Sequence, residues 1–373
     1  MLSGKLLPVH FKPNEDELLS SWVIRLARGN GSNLHSFCRM LWPKKAIWTR
    51  DIDKSADRNV VEVLSRKTGT SSSTVEETLL KSYEGIIYEK HNANGVTSFI
   101  NNIGVYHRTR RLFGQCYCVD CLKENIYFRK SWRLSFITVC TKHQVLLRDS
   151  CYYCKAPLAF HKLPVFDKNI LICSVCNKNL LSAKTIRANE SVIELTKDIE
   201  QCLMAGWMLI GQKQVYSLAF FSGLRHFFRI FLNNKGIEPF VKLVSDGTNV
   251  ESTIIDVERS KLTPECGHIQ VRYMVMSLIA EIFKDWPNKF VYYFNKSQAY
   301  PANFKRDAYL PYWLEIVYQL WISRKYRAVS KDEVQAIIDY LREHKKDCTV
   351  HEIHQLSGHD ISHYPQLLKL LLK

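Results

Sequence analysis

Six of the chain's twelve cysteines fall between Cys116 and Cys154. Cys118 and Cys121 are followed, across residues 122–139, by Cys140 and His143. Cys151 and Cys154 are followed, across residues 155–172, by Cys173 and Cys176. Each member of the first set has a counterpart at one constant offset (118/151, 121/154, 140/173, 143/176), so the segment is an internal repeat. Two residues between thiolates let one tight turn aim both at a single ion, and a second turn completes a tetrahedron. Three cysteines with one histidine, and four cysteines, are both closed shells for structural zinc. Two structural zinc ions are therefore expected, with no open position for a reacting water. Sequential pairing within each set and cross-braced pairing of Cys118/Cys121 with Cys151/Cys154 both use these eight ligands. Cys116 sits too close to Cys118 for a turn of this kind, and Cys38, Cys202, Cys266 and Cys348 are scattered; these five are read as unliganded thiols.

Metal in place of disulfides follows from the expected compartment. The opening "MLSGKLLPVHFKPNEDE" lacks the apolar stretch of a secretory signal, and no apolar run nears the roughly 20 residues of a membrane span. The expectation is a cytoplasmic, nucleoid-associated protein with reduced thiols and no membrane contact. A net charge of +16 and a pI near 9.2 call for an acidic partner, above all DNA. Positive charge is dense just before and within the repeat. Arg108, Arg110, Arg111, Arg129, Lys130 and Arg133 are candidate phosphate contacts, interleaved with Tyr117, Tyr127, Phe128 and Trp132. Phe128 and Trp132 are expected to pack against the knuckles as a small core.

The elements that position these groups are mainly helical. In "PNEDELLSSWVIRLARGNG", Asn14 and Glu17 have capping-box spacing, Leu18, Leu19, Trp22, Val23 and Leu26 recur at helical period, and Gly29 and Gly31 end the run. Asn33 then caps a second helix through Leu34, Phe37 and Leu41, giving a helix-turn-helix outline. Within it Asn33, His35 and Arg39 are the candidate base-reading side chains. A second helical pair follows in "SADRNVVEVLSRKTG" and "TSSSTVEETLLKSY", with Ser73 as expected cap. Asp51 and Asp53 read as surface or capping residues. Beyond Leu180 amphipathic segments at about 190–210, 214–233, 267–285, 308–322 and 330–344 predict an all-helical region, with 233–253 as a surface loop. In the tail, His351 and His354 are three apart and miss the zincin spacing of four; with His359 and His363 they read as a solvated face. No Walker loop, dinucleotide fingerprint or nucleophile elbow occurs. The expected organisation is a helix-turn-helix-like region at 1–105, a tandem zinc module at 106–182 and a helical region at 183–373.

The stretches "PNEDELLSSWVIRLARGNG", "WTRDIDKSAD", "GVYHRTRRLFGQCYCVDCL" and "YFRKSWRLSFITVCTKHQVLLRDSCYYC" resemble the TniQ family of transposition target-selection proteins, which includes the longer TnsD proteins. The resemblance covers roughly residues 5–182. It implies an adaptor without catalytic residues that selects a DNA target and recruits an AAA+ ATPase and, through it, a transposase. It also implies that the eight Cys/His residues above are zinc ligands. Val119 and Tyr152 replace the proline usual after the first knuckle cysteine, which loosens those turns without removing a ligand. Three functional readings follow: direct DNA binding, an adaptor on a CRISPR guide-RNA effector that contacts mainly protein, and a zinc-dependent nuclease, which the closed shells disfavour. A homodimer is compatible with each.

Overall fold

A computed structural model describes residues 6–163, 170–233, 235–248, 263–299, 304, 310–319, 331–357, 361 and 365–371. The architecture is mainly α, as expected, with short two-stranded hairpins between helices.

Helix α1 (Leu19–Gly29) buries Leu19, Trp22, Val23 and Leu26, the stripe the sequence period predicts. Its start differs from the expected one. Asn14 does donate to Glu17 (N–Oε2 2.9 Å), but the contact closes a turn in which Asp16 has φ +55°, so no helix propagates from it. Glu17 is buried, and its carboxylate takes Arg25 (Nε–Oε1 3.0 Å, Nη2–Oε2 2.7 Å) and the Ser21 hydroxyl (3.0 Å). Helix α2 (Leu34–Leu41) follows after Gly31 at φ +63°, with Asn33 accepting from His35 N at 2.9 Å as its cap. Leu34, Phe37, Cys38 and Leu41 face the core; His35, Ser36, Arg39 and Met40 face out.

A short helix α3 (Ile52–Ser55) leads to α4 (Arg58–Thr68), capped by Asp57, and α5 (Ser72–Glu77). The cap of α5 is Ser71, whose hydroxyl accepts from Thr74 N at 3.1 Å. Ser73, the expected cap, lies inside the helix. In a run of three serines only the residue with extended backbone can cap, and that is Ser71 (φ −61°, ψ 148°).

The middle of the chain is built from turns. Strands β1 (Val105–Tyr106) and β2 (Thr109–Arg110) form one hairpin, β3 (Val139–Cys140) and β4 (Val145–Leu146) another, and α6 (Val119–Glu124) stands between them. Phe128 and Trp132 are buried, with rings 6.3 Å apart at 88° in an edge-to-face arrangement.

In the second half, α7 (Glu190–Ala205) ends at Gly206 (φ +79°). The hairpin β5 (Trp207–Ile210) and β6 (Lys213–Tyr216) then precedes α8 (Ser217–Asn233). The flanks of the expected helices at 190–210 and 214–233 are thus strand, turning on Gly211 at φ +61°. The expected loop at 233–253 contains helix α9 (Glu238–Asp246), which buries Phe240, Val241 and Val244; residues 249–253 lie outside the described ones. Helix α10 (Ile269–Phe283), buried on nearly every face, packs on α7, α8 and α9. Of the expected 308–322 segment, Tyr312–Val317 is helical. The tail has helices at Lys331–Glu343, as expected, and at Val350–Ser357 and Pro365–Leu368. His351 is exposed there; His359, His363 and the side chain of His354 lie outside the described residues.

One buried apolar cluster runs from Leu7 to Tyr318, across both expected boundaries at 105/106 and 182/183. A separate small cluster holds Val334, Ile338, Leu341, Ile353, Ile361, Leu367 and Leu370. No helix among the described residues is long and apolar enough to cross a membrane.

Candidate metal centres and basic groove

Among the described residues, two groups gather metal-ligating atoms within 4.8 Å of one another: Cys118, Cys121, Cys140 and His143, and Cys151, Cys154, Cys173 and Cys176. The pairing is therefore sequential, not cross-braced. In the first group Cys121 Sγ lies 3.6 Å from Cys140 Sγ, and His143 Nδ1 lies 3.6, 3.3 and 3.5 Å from the sulfurs of Cys118, Cys121 and Cys140. In the second, Cys151–Cys176 and Cys154–Cys173 are each 3.6 Å. A tetrahedron with Zn–S bonds of about 2.3 Å has sulfurs about 3.8 Å apart, so both groups fit zinc.

The backbone repeats along with the ligands. Gln144, Lys155 and Asn177, each just after a knuckle, have φ of +57°, +58° and +58°. Each donates its N–H back to the carbonyl of the first ligand: Gln144 to Cys140 (2.7 Å), Lys155 to Cys151 (3.0 Å) and Asn177 to Cys173 (3.0 Å). The Cys118–Cys121 knuckle departs from this form because it opens α6, where Leu122 N bonds Cys118 O at 3.1 Å.

Glu124, which the sequence reading missed, completes the first centre. Its Oε1 lies 3.0 Å from His143 Nε2, so the imidazole donates from Nε2 and presents Nδ1 as the ligand atom, the usual arrangement of a metal-bound histidine. Lys142 pairs with the same carboxylate; the hydrogen bonds from Lys142 and then His143 hold it below the usual carboxylate range. Cys116 is buried and outside both groups, its sulfur 3.3 Å from Arg272 Nη2.

The candidate DNA contacts separate into three environments. Arg108 is exposed at the tip of the β1–β2 hairpin and lines a groove of about 410 Å³ together with His35, Arg39, Lys44, Lys45 and Trp48. The groove thus joins the outer face of α2 to a hairpin far along the chain. Burial, then the Arg108 charge, lowers the His35 pKa. Lys44 and Lys45 were missed by the sequence reading, although a lysine pair between Trp42 and Trp48 is a visible signal. Lys45 is engaged by Asp57. Asn33 is exposed but spent as the α2 cap. Arg111, exposed on the next turn, stacks at 3.8 Å on Tyr106.

Arg129 and Lys130 line a different cleft, of about 680 Å³, with Glu15, Glu77, Glu200 and Met204. Lys130 is half-buried, donating to Glu77 O (2.6 Å) and Ser82 Oγ (2.7 Å), and Arg129 lies over the Tyr127 ring at 5.6 Å.

Arg133 and Arg110 are buried, which corrects their assignment as phosphate contacts. Arg133 bonds Asp51 (Nη2–Oδ2 2.6 Å) and Asp53 (Nη1–Oδ2 3.2 Å), and Asp53 also accepts from Ser20 N (2.7 Å) and Oγ (2.9 Å). Asp53 is accordingly not a surface residue; it caps the first turn of α1 from outside that helix, through the Ser20 N–H. A buried guanidinium needs two partners for its fork, and these two acids supply them.

The fold and these sites define a mainly helical protein in which two Cys/His clusters with a geometry fit for zinc lie in a turn-rich middle, after a helical hairpin whose outer face carries His35 and Arg39. Residues 8–147 match the TniQ family model, so this part of the chain is similar to that family. The match includes the first metal cluster and stops before Cys151. No curated protein matches the chain.

Proposed function

We propose that this protein is a non-catalytic adaptor for DNA transposition that grips target DNA with the groove between α2 and the β1–β2 hairpin and recruits an AAA+ ATPase and transposase. The observation that carries this reading is the convergence of His35, Arg39, Lys44 and Arg108 on one open groove within the TniQ-matched region. Side chains from separate segments meet there with few internal partners, as groups meant for phosphates would. Two zinc ions, held by Cys118, Cys121, Cys140 and His143 and by Cys151, Cys154, Cys173 and Cys176, cross-link a segment poor in regular structure. With four protein ligands each, both sets are closed, which supports a structural and not a hydrolytic role. The reading places the protein at the nucleoid. Its three sequence regions act as a DNA-facing region, a zinc-stapled middle and a helical second half.

The second cleft favours a further reading. Its floor of Trp132, Ile137, Val139 and Leu203, with Met204 82% exposed at the rim, suits a protein surface better than a phosphate backbone. An adaptor on a guide-RNA effector complex would use it, and the homodimer option would too.

The test is binding of the full chain to a duplex from its element's insertion locus, with and without the partner ATPase. Submicromolar binding by the chain alone supports the DNA grip. Binding seen only with the ATPase or an effector complex supports the protein-contact reading.

A further inference from the structure

We infer that His161 is a positioning residue that locks the tip of the β1–β2 hairpin and so aims Arg108 into the basic groove. The inference rests on the proposed DNA grip and assigns the device that makes it rigid.

The tip needs such a device. Tyr106 pairs with Thr109, leaving His107 and Arg108 as a two-residue turn, and both have positive φ, +42° and +67°. Turns of this form favour asparagine and glycine, because a β-carbon is strained in the left-handed region. Histidine followed by arginine does not make this turn well by itself. Two-residue strands offer only a few ladder bonds to hold it.

His161 supplies what the local sequence lacks. Its Nε2 lies 2.9 Å from the Arg108 carbonyl oxygen, so the ring donates to the strained residue itself. The ring is buried and stacks on Trp48 at 5.3 Å and 7° between planes. Trp48 is in turn fixed by its indole N–H on Cys38 Sγ at 3.3 Å, and Cys38 belongs to α2. An unbroken chain of contacts therefore runs from α2 through Trp48 and His161 to the Arg108 backbone. Both walls of the groove are set by it, and Trp48 lines that groove. Burial, followed by the Arg110 charge, pushes the His161 pKa down to about 3, so the ring is neutral and carries a single N–H. Lys162, next in sequence, reaches Thr109 Oγ1 at 3.5 Å and supports the same tip.

The experiment is a double-mutant cycle on the zinc-loaded full chain, with affinity for a mixed-sequence duplex measured across a salt series. Arg108→Ala should weaken binding roughly five- to tenfold at 0.1 M salt and lower the salt slope by about 0.9, one phosphate contact. His161→Phe keeps the stack and removes the donor, so it should reproduce most of that loss. The double variant should lose no more than Arg108→Ala alone. His161→Gln, which retains a donor, should recover affinity. So should His107→Asn added to His161→Phe, because asparagine tolerates the left-handed turn. A generally weakened fold would respond to neither rescue.

If Arg108→Ala weakens binding and His161→Phe does not, the positioning role is wrong while the DNA grip stands. Additive losses, or no rescue by either variant, also overturn it. If Arg108→Ala changes nothing, the grip fails and this inference with it. Should His161→Phe lose metal or its cooperative melt, His161→Leu, which also lacks a donor, carries the same cycle.

Discussion

Arg133 lies between Asp51 and Asp53, its two terminal nitrogens 2.6 and 3.2 Å from their carboxylates, and its side chain is fully buried. The pair ties the turn before α3 to the segment after the first knuckle. Arg133 also donates to the Asn101 carbonyl at 2.9 Å, so three separate segments meet on one guanidinium. This group holds the fold together.

Arg133→Ala should therefore destabilise the protein by about 3 kcal/mol, because it strands the buried Asp53 and the partly buried Asp51 without a counter-charge. Arg133→Lys should recover little, since one ammonium cannot serve both carboxylates. Denaturant melts of the three proteins read the effect. A loss below about 1 kcal/mol for the alanine variant contradicts the network.

Elemental analysis of the purified chain should find two zinc ions. Cys173→Ser should lower that to one, and the apo knuckle should expose the buried apolar residues that flank it in sequence, Ile170, Leu171 and Leu180. A Cys173→Ser protein that keeps two ions would remove Cys173 from the ligand set.

Glu124→Ala should weaken metal binding at the first centre by roughly 10- to 100-fold and leave the second unchanged, because Glu124 orients only His143. Competition with a chromophoric chelator resolves two steps in the variant. Equal weakening at both centres would show that Glu124 acts on the fold.

Much of this was legible in the sequence because it is local. The Cys/His repeat marks the eight residues that gather into two clusters, and Asn33 with Leu34, Phe37 and Leu41 marks α2. What was not legible depends on distant partners. Arg133 reads as one more surface cation until Asp51 and Asp53 are folded against it, and nothing in their spacing announces that. The β5–β6 hairpin hides because "WMLIGQKQVY" places apolar residues where a continued helix would tolerate them; the alternation Met208, Ile210, Val215 inward is the sign of period two. The Asn14–Glu17 contact was foreseen, but a positive φ at Asp16 turned it from a helix start into a turn. The Lys44–Lys45 wall of the groove was within reach of the sequence, whereas His161 was not, since its partner is a backbone carbonyl.

His161 also gives a pH dependence. Its pKa falls from 6.5 in the unfolded chain to about 3 in the fold, where burial and the neighbouring Arg110, Lys162 and His35 oppose its charge. The unfolded chain then binds the extra proton between those values, so stability falls as pH drops below about 6.5. The loss is up to about 1.4 kcal/mol per pH unit. His161→Gln lacks this proton, so the stability difference between wild type and variant should shift toward the variant from pH 7 to 5. A constant difference across that range contradicts the neutral, buried ring.

The most direct test of the account is the salt dependence of DNA binding by wild type and an Arg39→Ala, Lys44→Ala, Arg108→Ala triple variant on one duplex. If these groove cations meet phosphates, the slope of log K against log salt should flatten by about two to three, at roughly 0.9 per contact. Zinc content and melting should stay as in the wild type, because all three side chains project from the surface. An unchanged affinity and slope in a folded, zinc-loaded triple variant would contradict the groove as the DNA-binding face.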